Sequence, residues 1–353
     1  MEIEYCETLS DSLEAEWGRF LDRATHQHAR QDIRFGLTDL AEGHEIRYVI
    51  GREGHMTKAV GMFVFVHHPI LPGAFSSAYC LSGPISDDPE VMMRFLDEIC
   101  RSDAFAKVGR ISITPYWLDN QGRNLGATLR NRDWSLSETE DARQTGIVNI
   151  SGTATDIASR FSQSCRRKLR KAEKQDLSVT ALHEEAGAKD FLARLNRHRT
   201  ERGLRALNPK SFIAAFKHVY RQDDLGTILV IYHQGRFVAG IVLHRSRDTT
   251  HFIYSVHDDV ILADLENLRI SPFLMLEAMK WANARGCHLF DLEGYRDPND
   301  PTNPLQHIHK YKSEFKPQVT FRVAEHHRII NRAVYFTGEP RKILKRTIKS
   351  LLR

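Results

Sequence analysis

The chain has 353 residues, 41% of them hydrophobic, and 50 Lys and Arg against 45 Asp and Glu, a formal charge of +5. This is length for two ordinary domains with a sizeable core in each, and the composition excludes a disordered chain. No apolar run reaches a membrane span, MEIEYCETLSDSLEAEW lacks the basic and apolar segments of a signal peptide, and Cys6, Cys80, Cys100, Cys165 and Cys287 form no CxxC pair; a soluble, cytoplasmic protein with free thiols is expected.

In chain order, QHARQDIR (Gln27 to Arg34) brings two arginines, Arg30 and Arg34, close together. IRYVIGREGHMTKAVGMFVFVHH (Ile46 to His68) reads as a strand, a glycine-containing turn and a second strand. VMMRFLDEICRSDAFAKVGRISITP (Val91 to Pro115) reads as a helix, then a glycine, then a strand. A helix is predicted from about Thr155 to Gln175, with RRKLRKAEK (Arg166 to Lys174) on its second half and the strand LSVTAL after it. Two further helices follow, KDFLARLNRHRTER (Lys189 to Arg202) and PKSFIAAFKHVYRQ, then the strand pair TILVIYHQGRFVAGIVLHRS (Thr227 to Ser246).

The stretch from Ser271 to Phe315 carries the densest signals. Ser271 suits an N-cap, Pro272 the first helical position, and Gly286 a left-handed stop, so one apolar helix is predicted between them. CHLFDLEG reads as a short buried strand whose end exposes Asp291, Glu293 and Gly294 to a cleft, and His307 and His309 in HIHKYKSEF read as alternating along a strand. From Pro340, Ile343, Leu344, Ile348, Leu351 and Leu352 gather on one side of a helix whose other positions are basic.

The chain echoes itself. Gly61 and Gly240 hold equivalent places in the two strand pairs, 179 residues apart, and Gly109 and Gly286 hold equivalent places in the two helix–strand units, 177 apart. Two copies of one α/β (α+β) unit follow, each a mainly antiparallel mixed sheet flanked by helices, over 1–148 and 149–325, with a basic helical tail over 326–353. Charge is concentrated in Arg166 to Lys174, with six basic residues against one acid, and in the tail, with eight against Glu339. No histidine has the spacing or neighbours of a metal site, and no Ser or Cys sits in a nucleophile elbow, so neither a metal nor covalent hydrolase chemistry is expected.

These residues resemble a family. The basic run before a strand, Thr200-Glu201-Arg202-Gly203 closing a helix, Val238-Ala239-Gly240 in a hairpin, Tyr254-Ser255, Trp281 and Gly286 before Phe290-Asp291, Tyr311-Lys312 before Phe315, and in the first half Ser82-Gly83-Pro84 and Ile113-Thr114-Pro115, look like the FemAB group. The resemblance implies tandem domains of the GNAT acyltransferase fold and transfer of an amino acid from aminoacyl-tRNA to an amine, as on a peptidoglycan precursor. The helical hairpin that some members insert in the second domain is absent, as in the compact FemX-like members. Three positions depart from the pattern: Thr114 stands where many members carry an acid considered as a base, Gln27 to Arg34 lacks the aromatic and lysine of muropeptide-binding members, and Tyr311 replaces a more usual phenylalanine.

The chemistry of amine attack on an ester or thioester needs a neutral amine, donors for the oxyanion and a cleft holding both reactants. Lys312 can donate to the oxyanion or to donor phosphates, Tyr254 can protonate the leaving oxygen, and Asp291 either accepts a proton or serves as a cap or ion pair beside the next turn. Arg202, Tyr311, Arg30 and Arg34 are the candidate substrate contacts. Arg166, Arg167, Lys168, Arg170 and Lys171 are either tRNA contacts or a solvated helix face. Acetyl-CoA-dependent GNAT enzymes cradle pyrophosphate on a Gly-rich turn before the central helix, whereas ADLENLRISPF (Ala263 to Phe273) has no glycine there. The leading expectation is therefore aminoacyl-tRNA as co-substrate, with no tightly bound cofactor and a peptide or other amine acceptor, nucleotide- or lipid-linked or soluble. The alternatives are an acyl-CoA-dependent N-acyltransferase and a non-catalytic tRNA-binding protein. The tail helix either lies on an anionic membrane, grips tRNA, or packs on its own domain.

Overall fold

The computed structural model of the chain describes residues 1–137, 144–265, 268–303 and 305–338. The tail helix expected from Pro340 lies outside the described residues. The chain divides into two compact units, one of Met1–Glu140 with Arg322–Arg353 and one of Asp141–Phe321.

The first unit's strands are β1 (Glu2–Cys6), β2 (Glu45–Glu53), β3 (Met56–His67), β4 (Phe75–Cys80), β5 (Val108–Ile113) and β6 (Ser135–Leu136). Its helices before the boundary are α1 (Asp11–Arg23), α2 (Ile33–Leu40), α3 (Pro89–Arg101) and α4 (Asp119–Asn131). The second unit has β7 (Gln144–Asn149), α5 (Ala154–Ser159), α6 (Gln163–Ala172), β8 (Leu177–Ala181), α7 (Glu185–Glu201) and α8 (Pro209–Ala215). It continues with β9 (Gly226–His233), β10 (Arg236–Arg245), β11 (Thr249–His257), α9 (Asp259–Asp264), α10 (Ser271–Asn283), β12 (Leu289–Asp291), α11 (Gln306–Ser313) and β13 (Gln318–Phe321). The chain then returns to the first unit as β14 (His326–Ile329) and α12 (Arg332–Gly338).

Local chemistry accounts for the main helices. α3 starts at Asp88, whose carboxylate accepts the Glu90 and Val91 amides at 2.8 and 2.9 Å, with Pro89 at the first turn. It buries Met92, Phe95, Leu96 and Ile99, the i, i+3, i+4, i+7 spacing of one helix face, against the sheet. α10 is apolar on most sides, with Leu274, Met275, Ala278, Met279 and Ala282 in the second core, and Gly286 at φ +80° ends the turn after it.

The strand orders are β1-β2-β3-β4-β5-β14-β6 and β13-β7-β12-β11-β10-β9-β8. Written from the other edge, the second becomes β8-β9-β10-β11-β12-β7-β13, so each strand of one sheet has a counterpart in the other. In both, the fourth and fifth strands, β4 with β5 and β11 with β12, pair in parallel and the other neighbours are antiparallel. The internal echo is thus a repeat of topology. Each copy's last strand, β7 or β14, is seated in the other copy's sheet, between its fifth and sixth strands.

Three local expectations change. The helix drawn over Thr155 to Gln175 is two helices, because Ser162 begins a new one: its hydroxyl accepts the Cys165 amide at 3.0 Å and its own amide donates to Glu314 O at 2.8 Å. HIHKYKSEF forms helix α11, not a strand; His309 and Lys312 are the buried positions, spaced by three, while Ile308 faces out. The boundaries 148/149 and 325/326 also differ from those of the units, since β7 and β14 each pair within the sheet of the opposite copy. Removing β14 would leave β5 and β6 without their shared neighbour. A chain ending at Phe321 should therefore fail to reach a cooperative fold in its first unit, read as lost amide protection in β5; native protection there would show that β14 is dispensable.

Candidate active site

The second sheet has two faces. Ala239, Ile241 and Leu243 of β10 and Phe290 and Leu292 belong to the core built with α5, α6 and α10. Gly240 points the other way: a Cβ there would come within 2.6 Å of the Phe191 ring of α7, so only glycine permits this approach. On that second face, His244 pairs with His251 and Val242 with Tyr254, because the β10–β11 register shifts and leaves Ile253 as an extra residue in β11. His244 and Val242 are two apart and share a face. The bulge therefore puts His251 and Tyr254 on one face despite an odd spacing, and Asp291, paired with His251 across β12, joins them.

β11 and β12 run together for only three residue pairs, Thr249 to His251 with Leu289 to Asp291, after which β12 ends and β11 continues to His257. The strands part at the residues that carry the polar groups. Asp291 is fully buried; it accepts the Thr145 hydroxyl and, at 2.7 Å, the Glu293 amide. His251, also fully buried, directs Nδ1 at Glu293 Oε1 (3.3 Å) and Asp291 Oδ2 (3.6 Å), with Ser246 Oγ 3.0 Å from Nε2. Burial opposes the imidazolium, but the two carboxylates outweigh it and the pKa of His251 is raised. Glu293 sits just past the strand end at φ +55°, the left-handed region, which aims its carbonyl at α11. Lys312 Nζ donates to that carbonyl at 2.7 Å and to Gly294 O at 2.8 Å. Burial pulls the Lys312 pKa down from 10.5 to about 8, against the opposing attraction of Glu293 and Asp291.

The other expected residues fall in separate places. The Tyr254 ring lies under the Arg199 guanidinium, 5.3 Å away, a neighbour contributed by α7. Tyr311 donates to Ser271 O at 3.4 Å and burial raises its pKa well above the usual range, while Arg202 is exposed at the end of α7. Arg30 and Arg34 belong to the first unit, where Arg30 lies 3.5 Å from Asp39 and over the Phe35 ring, and Arg34 pairs with Asp32 at 2.9 Å. In the same unit Thr114 accepts the Ser82 amide at 2.7 Å. On α6, Cys165, Leu169 and Ala172 face the core. Lys168 is drawn into an ion pair with Glu314 at 2.6 Å, and Arg166 donates to Ser159 O at 3.0 Å and to Phe161 O. Arg167, Arg170 and Lys171 remain exposed.

A cavity of about 280 Å³ opens beside the first turn of α10, lined by His257, Asp259, Leu262, Arg269, Ile270 and Ser271 among others. α9 ends at Asp264, ahead of α10 at Ser271, and is capped by Asp258, which accepts the Val260 and Ile261 amides. The described helices include none long and apolar enough to cross a membrane.

Comparison with known proteins agrees with this architecture. Residues 159–312 match the family described as acetyltransferase (GNAT) domain. The crystal structure of FemX is similar over 95% of this chain and 99% of its own, with a TM-score of 0.79 at 15% identity. The chain has a FemX-like tandem GNAT fold. A tandem GNAT protein from the clavulanic acid biosynthesis pathway shares this fold over 94% of this chain and 99% of its own, with a TM-score of 0.54 at 9% identity. So does the C-terminal domain of a putative lysylphosphatidylglycerol synthetase from Agrobacterium fabrum, over 92% of this chain and 94% of its own, with a TM-score of 0.52 at 11% identity. No curated protein matches the sequence. The family match spans α6 to Lys312, and with the tandem GNAT fold it supports an acyltransferase.

Sequence reasoning named Lys312, Tyr254 and Asp291 as candidates and did not single out His251 or Arg199, which lie beside Asp291 and Tyr254 respectively. The usable signal was the run of polar residues, Asp291 and Glu293, closing the short apolar strand of CHLFDLEG. His251 had no such signal, because the bulge at Ile253 breaks the alternation that would have linked it to Tyr254.

The lowered Lys312 pKa has a measurable consequence. Between pH 8 and 10.5 the unfolded chain holds a proton that the folded one has lost, so stability rises with pH in that window. Relative to Lys312→Met, the wild type should gain on the order of 3 kcal/mol from below pH 8 to above pH 10. Denaturant midpoints with the same pH dependence in both chains would contradict the lowered pKa.

Proposed function

We propose that the protein is an aminoacyltransferase that moves an amino acid from aminoacyl-tRNA to the amine of a peptide or another small acceptor, carried on a nucleotide or lipid or free, in the cytoplasm where charged tRNA resides. The observation that carries the donor assignment is the pairing of an exposed basic face on α6, made by Arg167, Arg170 and Lys171, with a sequence approach to α10, Ala263 to Ile270, that contains no glycine. Cationic side chains suit a polyanion, and their strength falls with salt. A Gly-rich turn is what a pyrophosphate cradle needs.

In this reading the ester carbonyl lies where β11 and β12 part. Lys312, still largely cationic at pH 7, supplies positive charge to the developing oxyanion or to donor phosphate. Tyr254 protonates the leaving ribose oxygen, with Arg199 over its ring. Arg202 and Tyr311 border the donor. Lys168, through Glu314 at the end of α11, holds the helix that carries Lys312.

A second reading, an acyl-CoA-dependent N-acyltransferase, is favoured by the acetyltransferase family match and the cavity beside the first turn of α10. Incubating the protein with labelled aminoacyl-tRNAs and acyl-CoAs over a panel of amines separates the two. Ribonuclease should abolish transfer; activity that survives ribonuclease and needs acyl-CoA would replace the first reading by the second. Lys312→Ala should lower the rate on the order of 100-fold with the fold intact, and near-wild-type turnover would remove Lys312 from the site. Charge reversal at Arg167, Arg170 and Lys171 together should weaken tRNA binding on the order of tenfold or more, with a shallower salt dependence than wild type. Unchanged affinity would place the RNA elsewhere.

A further inference from the structure

We propose that Glu293 is the general base of the transfer, held in place by His251. This rests on the acyl-transfer reading above and names the proton acceptor that reading leaves open. Three groups stand near the parting of β11 and β12, and their environments separate their roles. Asp291 is fully buried, with its oxygens engaged by the Thr145 hydroxyl, the Glu293 amide and the His251 ring, so it cannot meet a substrate amine. Lys312 donates to the two carbonyls of Glu293 and Gly294 and, as an ammonium, has no lone pair to offer. Glu293 follows the last paired residue of β12 by two positions, and its side chain keeps 28% of its surface exposed while His251 Nδ1 lies 3.3 Å from one oxygen. It is the carboxylate of this cluster with surface to offer.

The step balances without another reactant. The acceptor arrives as an ammonium: the Glu293 carboxylate takes one of its protons and passes it to solvent, and the freed amine bonds to the ester carbon, giving a second proton to Glu293 as the C–O bond to the ribose breaks; the ribose oxygen takes a proton from Tyr254, which is restored from Glu293 directly or through water. An amide and a free ribose hydroxyl leave, and Glu293 returns to carboxylate. Asp291 and His251 do not change protonation. They hold the carboxylate's orientation, His251 as a positioning residue.

The test compares wild type, Glu293→Gln, Glu293→Asp and His251→Gln with two nucleophiles, the acceptor amine and hydroxylamine, which is already neutral at pH 7. A general base contributes roughly 10²–10⁴-fold, so Glu293→Gln should lose that much in kcat with the amine and much less with hydroxylamine. Glu293→Asp keeps a carboxylate on a shorter stem and should fall between, which keeps the assignment falsifiable should the glutamine variant lose its fold. His251→Gln should show the same dependence on the nucleophile with a smaller loss, mainly in kcat. Equal losses with both nucleophiles, or a Glu293→Gln rate within threefold of wild type, would overturn the assignment. If wild type uses only acyl-CoA, the tRNA reading fails while the same comparison, run with that donor, still decides Glu293; a wild type inactive with both donors would overturn both.

Discussion

Two carboxylates, an imidazole and an ammonium cannot be withdrawn from water one at a time. Each alone would carry a desolvation penalty of several kcal/mol, and only mutual pairing offsets it. Asp291, Glu293, His251 and Lys312 meet where β12 ends, and their geometry answers that constraint: His251 between the two carboxylates, Asp291 on the Thr145 hydroxyl, and Lys312 on the carbonyls that the left-handed turn at Glu293 presents. The elements that supply these groups, β7, β11, β12 and α11, are thereby fixed to one another by polar contacts as well as by the sheet.

The same groups sit where the sheet opens. Parallel pairing of β11 with β12 ends after three residue pairs, and the bulge at Ile253 turns Tyr254 onto the face of His251. Backbone irregularity and side-chain charge therefore coincide at one place in the second unit. Polar groups of this kind are tolerated there because the parting of the strands leaves Glu293 surface in contact with solvent while Asp291 and His251 remain fully covered.

The repeat has a similar logic at the scale of the whole chain. Two copies with matching strand order exchange their last strands, so β7 completes the second sheet and β14 the first. Any boundary drawn in the linear sequence must cut one of these pairings. The hairpins and the helix–strand units that the echo of Gly61 with Gly240 and Gly109 with Gly286 revealed are local in sequence, which is why they were legible; β6 and β14, which meet at Leu136 and Ser135, are separated by almost the whole of the second copy.

What the sequence by itself determined are the features written in short-range pattern. The caps of α3, the apolar girth of α10 and its stop at Gly286, the paired hairpins and the polar end of the strand at Asp291 follow from propensity and spacing within a few residues. HIHKYKSEF misled because its four-residue alternation also fits a helix, and only packing shows that His309 and Lys312 turn inward. The tertiary structure alone decided the rest: that Ser162 splits one basic helix into two, that Lys168 is engaged by Glu314 while Arg167 and Arg170 face out, and that His251 lies between Asp291 and Glu293. These depend on pairings between residues far apart in the chain, on a bulge that resets strand alternation, and on burial that moves the Lys312 pKa, none of which leaves a trace in local order.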